Sequence, residues 1–332
     1  MLCTMTIRCS LGTAKVLGLK KVKADALPTT AYLMVGEHCR FDCAFCAQAR
    51  NSGARADLLS RISWPKFEGK EVLERLDFPE AQSVLQRVCF QVVQDRVALE
   101  ETKEWVKRVR DNSRLPICVS AGPRTLEEVK ELLDLGVDHI SIALDGATPE
   151  IYAQTKDGSW KERFTLLLEA AEKFPGHMAT HLIVGLGESE EEMVNCLQTL
   201  YDRGITVALF AFTPVKGTRM EGIKPPKMPH YRRIQVAHDL IRQGLARADQ
   251  FRFHEGKVVD FYLNIDELQN TRGGAPFQTS GCKGCNRPYY NETPGEELFN
   301  YPRLLTPNEV EVAWGYIKVE AKPNEDRGRS RV

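Results

Sequence analysis

The sequence has no apolar run able to cross a bilayer. The longest that matters, Ile205 to Phe212, falls far short of the roughly 20 residues a membrane helix needs. It also lacks the basic, apolar, small-residue succession of a signal peptide at its start, so the expected setting is the cytoplasm, with no membrane partner. Net charge is missing too: 45 Lys+Arg balance 45 Asp+Glu, and no overall field favours nucleic acid or an anionic surface. Recognition must therefore be local. Internal repeats and low-complexity linkers are absent. With 42% hydrophobic residues in 332, the chain is neither disordered nor a small stapled scaffold.

Cysteine, in contrast, is plentiful. Ten thiols are many for a reducing compartment, where disulfides rarely persist, and clustered thiols there point to metal. Cys39, Cys43 and Cys46 crowd into eight residues, Cys282 and Cys285 form a CxxC, and Cys3 and Cys9 lie at the start. Cys89, Cys118 and Cys196 stand alone.

Between residues 30 and 265, short β-branched runs alternate with amphipathic segments, the pattern of βα units around a parallel sheet. Six strands are expected at Tyr32–Val35, Val88–Val93, Ile117–Ser120, His139–Leu144, His181–Leu186 and Ile205–Phe212. Thr125 with Glu128 and Ser189 with Glu192 have the spacing of capping boxes. After Ser189, the residues Met193, Cys196, Leu197 and Leu200 form one helical stripe, which makes Cys196 a core residue. Consecutive right-handed units favour a full or partial (β/α) TIM-type barrel. Residues 1–29 and 266–332 then read as extensions laid on it, the latter ending in a charged, mobile tail from Ala321.

The loop His38-Cys39-Arg40-Phe41-Asp42-Cys43-Ala44-Phe45-Cys46 directly follows the first expected strand, which places three thiolates at the C-terminal rim of a barrel, where chemistry is sited. Three soft ligands suit an iron–sulfur cube and leave one iron open. A structural zinc site completed by His38 is the alternative, disfavoured because His38 abuts Cys39 instead of forming a separate arm. The CxxxCxxC spacing with Phe45 before the last cysteine resembles the radical S-adenosylmethionine (SAM) superfamily. That resemblance implies that the open iron chelates the methionyl amine and carboxylate of SAM, that cluster reduction yields a 5′-deoxyadenosyl radical, and that Phe45 packs near adenine. Without it, Phe45 is ordinary loop packing.

Downstream, HLIVGLGE ends a strand with Gly185, Gly187 and Glu188, resembling the SAM-binding GxIxGxGE of the same superfamily. Asp145 matches a position that contacts SAM in relatives, although it could equally cap the helix near Pro149. Residues 30–265 resemble the biotin synthase group. Cys89 and Cys118 match two barrel ligands of its second cluster, with Arg252 near its arginine ligand, but Ala179 stands where a third cysteine belongs, so Cys89 and Cys118 are expected as core residues.

The segment CKGCNRPYYNE, followed by Tyr301-Pro-Arg, resembles instead the two-protein lipoyl synthases. The implied reaction attaches sulfur to an octanoyl chain carried on a lipoyl domain or H-protein. A companion radical SAM lipoyl synthase subunit and an electron donor, ferredoxin or flavodoxin, are implied as partners. A second [4Fe–4S] cluster would supply sulfur, held by Cys282 and Cys285 with Cys9 reaching across from the other terminus and either Cys3 or a non-cysteine residue as the fourth ligand. Without the resemblance, Cys3 and Cys9 are ordinary residues and the CxxC a zinc turn or redox pair. Arg287 could meet a carboxylate or form a surface ion pair, and Lys227, Arg232 and Arg233 could form a basic lip for an acidic carrier or simply a solvated helix face. The rival functions are a biotin-synthase-like enzyme acting on a small molecule and a non-catalytic iron–sulfur or zinc subunit.

Overall fold

The computed structural model describes residues 5–292 and 295–318, so Cys3 and the tail from Ala321 lie outside the described residues. Its main sheet has eight strands: β1 (Thr6–Cys9), β2 (Thr30–Val35), β3 (Lys66–Glu68), β4 (Arg87–Val92), β5 (Ile117–Ala121), β6 (His139–Ile142), β7 (Met178–Val184) and β8 (Thr206–Ala211), in the spatial order β8-β7-β6-β5-β4-β2-β1-β3. From β2 to β8 neighbouring strands run parallel, whereas β1 pairs antiparallel with both β2 and β3. The fold is α/β, a partial TIM-type barrel of six parallel strands with a short antiparallel margin. The six expected strands are all present. β7 begins three residues earlier than expected, because the polar Thr180 separates Met178 and Ala179 from the apolar run without interrupting the parallel pairing to β8.

Parallel strands buried on both faces read as continuous apolar runs, and β2 is buried along its whole length. Alternation divides its side chains: Ala31, Leu33 and Val35 join the outer core under the helices, while Tyr32 and Met34 join a separate cluster inside the barrel. The helix Glu190–Tyr201 starts in a complete capping box, with Ser189 Oγ accepting from Glu192 N at 3.2 Å and the Glu192 carboxylate accepting from Ser189 N at 2.7 Å. Cys196 is buried in the outer core, as its helical stripe requires.

An open barrel leaves β8 with a free edge, and unpaired edge groups need partners. The C-terminal segment supplies them. Leu209 N donates to Ser280 Oγ at 2.9 Å and Asn291 Nδ2 donates to Ala211 O at 2.7 Å. At the other side of the gap, Thr29 N donates to Asn286 Oδ1 at 2.9 Å and Thr29 Oγ1 donates to Gly284 O at 2.5 Å. Residues 280–291 thus bridge β8 to the start of β2 and close the barrel.

The basic lip is not found. Arg232 is 0% exposed: it donates to Phe299 O at 2.7 Å and Leu298 O at 2.6 Å, and lies over the rings of Phe277 and Tyr301. Arg233 is buried against Glu190 at 2.7 Å. Arg232 thus anchors the C-terminal extension to the helix Met228–Arg242, and Arg233 ties the same helix to Glu190, so neither faces a carrier; Lys227 alone of the three is exposed. Arg232→Ala should cost about 3 kcal/mol, because it strands buried carbonyls and removes a buried cation. The fall in urea midpoint, together with new proteolysis after residue 275, measures it; an unchanged midpoint would show that the extension is held elsewhere.

Candidate active site

The three-cysteine loop leaves β2 at Gly36, whose φ of +94° and close approach to Val93 O, 2.8 Å from where a Cβ would sit, exclude a side chain. The loop is then pinned from several directions. Arg40 N donates to Gln94 O at 2.8 Å, Ala44 N donates to Thr155 O at 2.7 Å, and Asp42 accepts from Asn51 and Arg219. Cys39, Cys43 and Cys46 are half-buried and line a cavity of about 330 Å³ that fills the barrel lumen. Burial pushes the Cys43 thiol up to about 11, opposed by the ammonium of Lys156, and pushes Cys46 up to about 12, reinforced by Cys43. On their own these two thiols are therefore neutral, and binding a metal would release their protons. His38 is exposed, and among the described residues no three His, Cys, Asp or Glu side chains gather tightly enough to hold a single ion. Thiolates that each bind a different iron of a cluster suit the loop better.

Phe45 lies in a small apolar cluster with Ile151, Leu186 and Phe212 beside the loop. Asp145 sits at φ +62° at the end of the β6 segment, bridged to Leu182, and is paired with Lys156 and with His181 Nε2 at 2.8 Å. Burial opposes its charge, but Lys156 and His181 outweigh burial and hold the carboxyl well below the usual carboxylate range. The nearby helix is capped instead by Thr148, whose Oγ1 accepts from Ile151 N, so Asp145 is free of that duty. Gly185 and Gly187 both have positive φ, and a Cβ on Gly185 would come within 2.9 Å of Pro226 Cδ. Glu188 is buried and turns back to accept from Gly185 N at 2.7 Å and Leu186 N at 3.0 Å. These three residues shape the turn from behind and do not line the cavity, whereas Phe45 and Asp145 do.

The deeper wall of the same cavity holds the thiols that the sequence pattern assigned elsewhere. Cys89 on β4 and Cys118 on β5 are register partners, and both face the lumen. Cys118 Sγ donates to Cys282 Sγ at 3.7 Å, and Cys285 Sγ lies 3.0 Å from Tyr32 Oη. The hydrogen bond from Cys118, with Arg87 and Arg287, pulls Cys282 down to about 6, while Cys118 is pushed up as the proton's holder. Cys118 is buried and Cys89 packs against the inner cluster, as expected of core residues, but both face the lumen and not the outer core. Inward alternation, with Val88 and Phe90 in the outer core, sends Cys89 into the barrel.

Cys9 does not join them. It pairs with Leu33 in the β1–β2 ladder, so its side chain shares Leu33's outward face, 0% exposed among Ile7 and Ala14, and burial alone pushes its thiol up. Arg252 lies on an exposed hairpin, paired with Asp260 at 2.8 Å, and the arginine beside the thiols is Arg287, half-buried over Phe210 and donating to Cys285 Sγ at 3.4 Å.

The model of the radical SAM superfamily matches residues 33–200, just over half the chain and the span that holds the cysteine loop, Asp145 and the glycine turn. The chain belongs to the radical SAM superfamily. Among curated proteins it is similar to biotin synthase of Persephonella marina, 27% identical over 190 residues, 56% of this chain and 54% of that protein. It is also similar to biotin synthase of Leptospira interrogans, 26% identical over 185 residues, 54% of this chain and 50% of that protein. The chain thus spans about half the length of the curated relatives it matches. Its fold is similar to that of HydG, a maturase of the [FeFe]-hydrogenase (TM-score 0.52, 13% identity, covering 64% of this chain and 49% of that one). Methylornithine synthase shares the fold as well, with a TM-score of 0.50 and 16% identity over 70% of this chain and 65% of that one. As a radical SAM protein the chain uses SAM and a [4Fe–4S] cluster, for which the loop of Cys39, Cys43 and Cys46 has the fitting donor set. No described helix is long and apolar enough to cross a membrane.

Because the folded pKa of Asp145 is depressed, its pairing stabilises the fold fully above the unfolded value of about 4 and the gain is lost as pH falls through the lower folded value. The stability gap between wild type and Asp145→Asn, read from urea unfolding, should narrow as pH drops below about 4. A gap that persists undiminished at pH 2 would contradict the pairing with Lys156 and His181.

Proposed function

We propose that this radical SAM enzyme attaches sulfur to an unactivated carbon of a protein-bound octanoyl chain in lipoyl cofactor synthesis, with a second iron–sulfur cluster as the sulfur source. The observation that carries the reading is one apolar lumen faced by two groups of thiols. Cys39 from the rim and Cys89 and Cys285 from the deeper wall pack against the same cluster of Tyr32, Met34, Trp64, Val93 and Tyr290. The cavity volume, about 330 Å³, is at the lower end of small-ligand sites.

The cluster at the three-cysteine loop, when bound, supplies the electron that generates a 5′-deoxyadenosyl radical from SAM. The chain's own residues do the rest. Phe45 and Phe212 offer an apolar wall to a base, Lys156 presents a buried cation near the loop, and Tyr32, Met34 and Phe210 give an alkyl chain a dry seat where a carbon radical meets no water. A second cluster held by the thiols of the deeper wall would supply the sulfur and take up the electron released as the C–S bond forms, and the abstracted hydrogen would leave in 5′-deoxyadenosine. The carrier would be an octanoylated lipoyl domain or H-protein, a companion radical SAM lipoyl synthase subunit would add the other sulfur, and ferredoxin or flavodoxin would deliver the electron. The similarity to biotin synthases, and the inward-facing Cys89 and Cys118, favour as a second reading sulfur insertion into a small molecule such as dethiobiotin.

Anaerobically reconstituted protein with SAM and a reductant should convert an octanoyl-lysyl carrier peptide to a thiolated product detected by mass spectrometry, and should leave dethiobiotin unchanged. Conversion of dethiobiotin alone would replace the first reading with the second. Cys43→Ala should lower 5′-deoxyadenosine formation by at least about 100-fold, since one of three cluster ligands is lost; retained formation would remove the loop from the mechanism.

A further inference from the structure

We propose that the protein's second iron–sulfur cluster is held inside the barrel by Cys89, Cys118, Cys282 and Cys285, two thiolates from neighbouring strands and two from the segment that closes the gap between β8 and β2. The inference deepens the sulfur-insertion reading by naming the site; only the cluster's purpose, not its place, rests on that reading.

Four independent features converge on this point. The first is the ladder: Cys89 and Cys118 are register partners on adjacent parallel strands, so both side chains leave the sheet on one side, into the lumen. The second is the turn. Cys285 N donates to Cys282 O at 3.0 Å, which folds the CxxC so that its sulfurs can serve one centre, and Gly281 and Gly284 take positive φ on either side of Cys282. With Cys118 and Cys282 sulfurs 3.7 Å apart, the strand pair and the turn pair meet.

The third feature is charge. Four thiolates around a doubly positive core leave a net charge of about −2 in a lumen of low dielectric, a state that needs cations close by. Two are in place. Arg87 Nη1 donates to Cys118 Sγ at 2.6 Å and Arg287 Nη1 donates to Cys285 Sγ at 3.4 Å. Neither has a carboxylate partner among its hydrogen bonds: Arg87 otherwise holds Lys283 O at 3.0 Å and Arg287 holds Ser280 O at 2.8 Å. A buried and a half-buried guanidinium group facing only neutral thiols would be an uncompensated cost; facing thiolates they are paired.

The fourth is an orphan. Tyr290 is buried, lines the cavity next to Cys89 and Cys285, and its hydroxyl has no hydrogen-bond partner. Buried hydroxyls are seldom left unsatisfied, and a sulfide or ligating sulfur here would accept its proton.

The closure of the barrel follows from the same site. Cys282 and Cys285 belong to the strap of residues 280–291 that satisfies the edge of β8, so binding the cluster ties that strap to β4 and β5 across the lumen.

The test compares iron and acid-labile sulfide, together with Mössbauer spectra, in the full-length protein reconstituted anaerobically with iron and sulfide. Cys118→Ser and Cys285→Ser are the test variants, with Cys9→Ser and Cys196→Ser as controls at buried cysteines outside both groups. Wild type and both controls should hold about eight iron per chain, whereas Cys118→Ser and Cys285→Ser should fall to about four, retaining the spectral component that shifts on adding SAM. Limited proteolysis near residue 280 should become at least about five-fold faster in Cys285→Ser. Full iron in either test variant, loss of half the iron in Cys9→Ser, or zinc as the sole metal of the wild type would overturn the assignment. If Cys118→Ser fails to fold, Cys285→Ser, on the strap, decides the matter alone. None of these readings uses an octanoyl substrate, so failure of the substrate assignment registers separately, in the product assay.

Discussion

The alternation of side chains along closely paired parallel strands is the constraint on which the rest of the structure depends. Because β2, β4 and β5 are held in register, every second residue enters the lumen and its neighbours enter the outer core. A slip of one residue would turn Tyr32, Cys89 and Cys118 out of the lumen together. The apolar outer residues, among them Leu33, Phe90 and Val119, fix the register, since none could be exposed without large loss. A chemically fragile interior is thus positioned by ordinary packing.

Charge in that interior is handled by pairing. Asp145 is paired with Lys156 and His181, and the buried Glu190 with Arg233 and His230. The guanidinium groups of Arg87 and Arg287 instead face sulfur. The distinction separates structural from functional charge. Glu190 knits the helix Met228–Arg242 to the hairpin through Val258 N, while Asp145 and Arg287 border the cavity. The same logic explains why Arg232 cannot greet a carrier protein: its fork is spent on Leu298 and Phe299 carbonyls between two aromatic rings.

Much of this was legible in the sequence wherever local chemistry determines local structure. The six parallel strands, the capping box at Ser189, the core position of Cys196 and the cysteine loop after the first strand all follow from short-range patterns. The antiparallel β1 and β3 are short and have no hairpin turn between them, so nothing in their sequence announces them. The grouping of Cys89 and Cys118 with the CxxC was missed because it depends on which face of a strand looks inward and on where a segment more than 160 residues later returns. The inward phase was available from Val88 and Phe90, whose place in the outer core forces Cys89 the other way. The destination of residues 280–291 was not, since it is set by the unpaired edge of β8, a property of the assembled sheet.

Two separate thiol groups share a single lumen, one at the rim and one against the wall. Anomalous diffraction at the iron edge from anaerobically grown crystals of the loaded protein addresses it directly. Two iron peaks should appear within the barrel, one beside Cys39, Cys43 and Cys46 and the other enclosed by Cys89, Cys118, Cys282 and Cys285. A second peak outside the barrel, near Cys9, or a lumen with iron only at the rim, would contradict it.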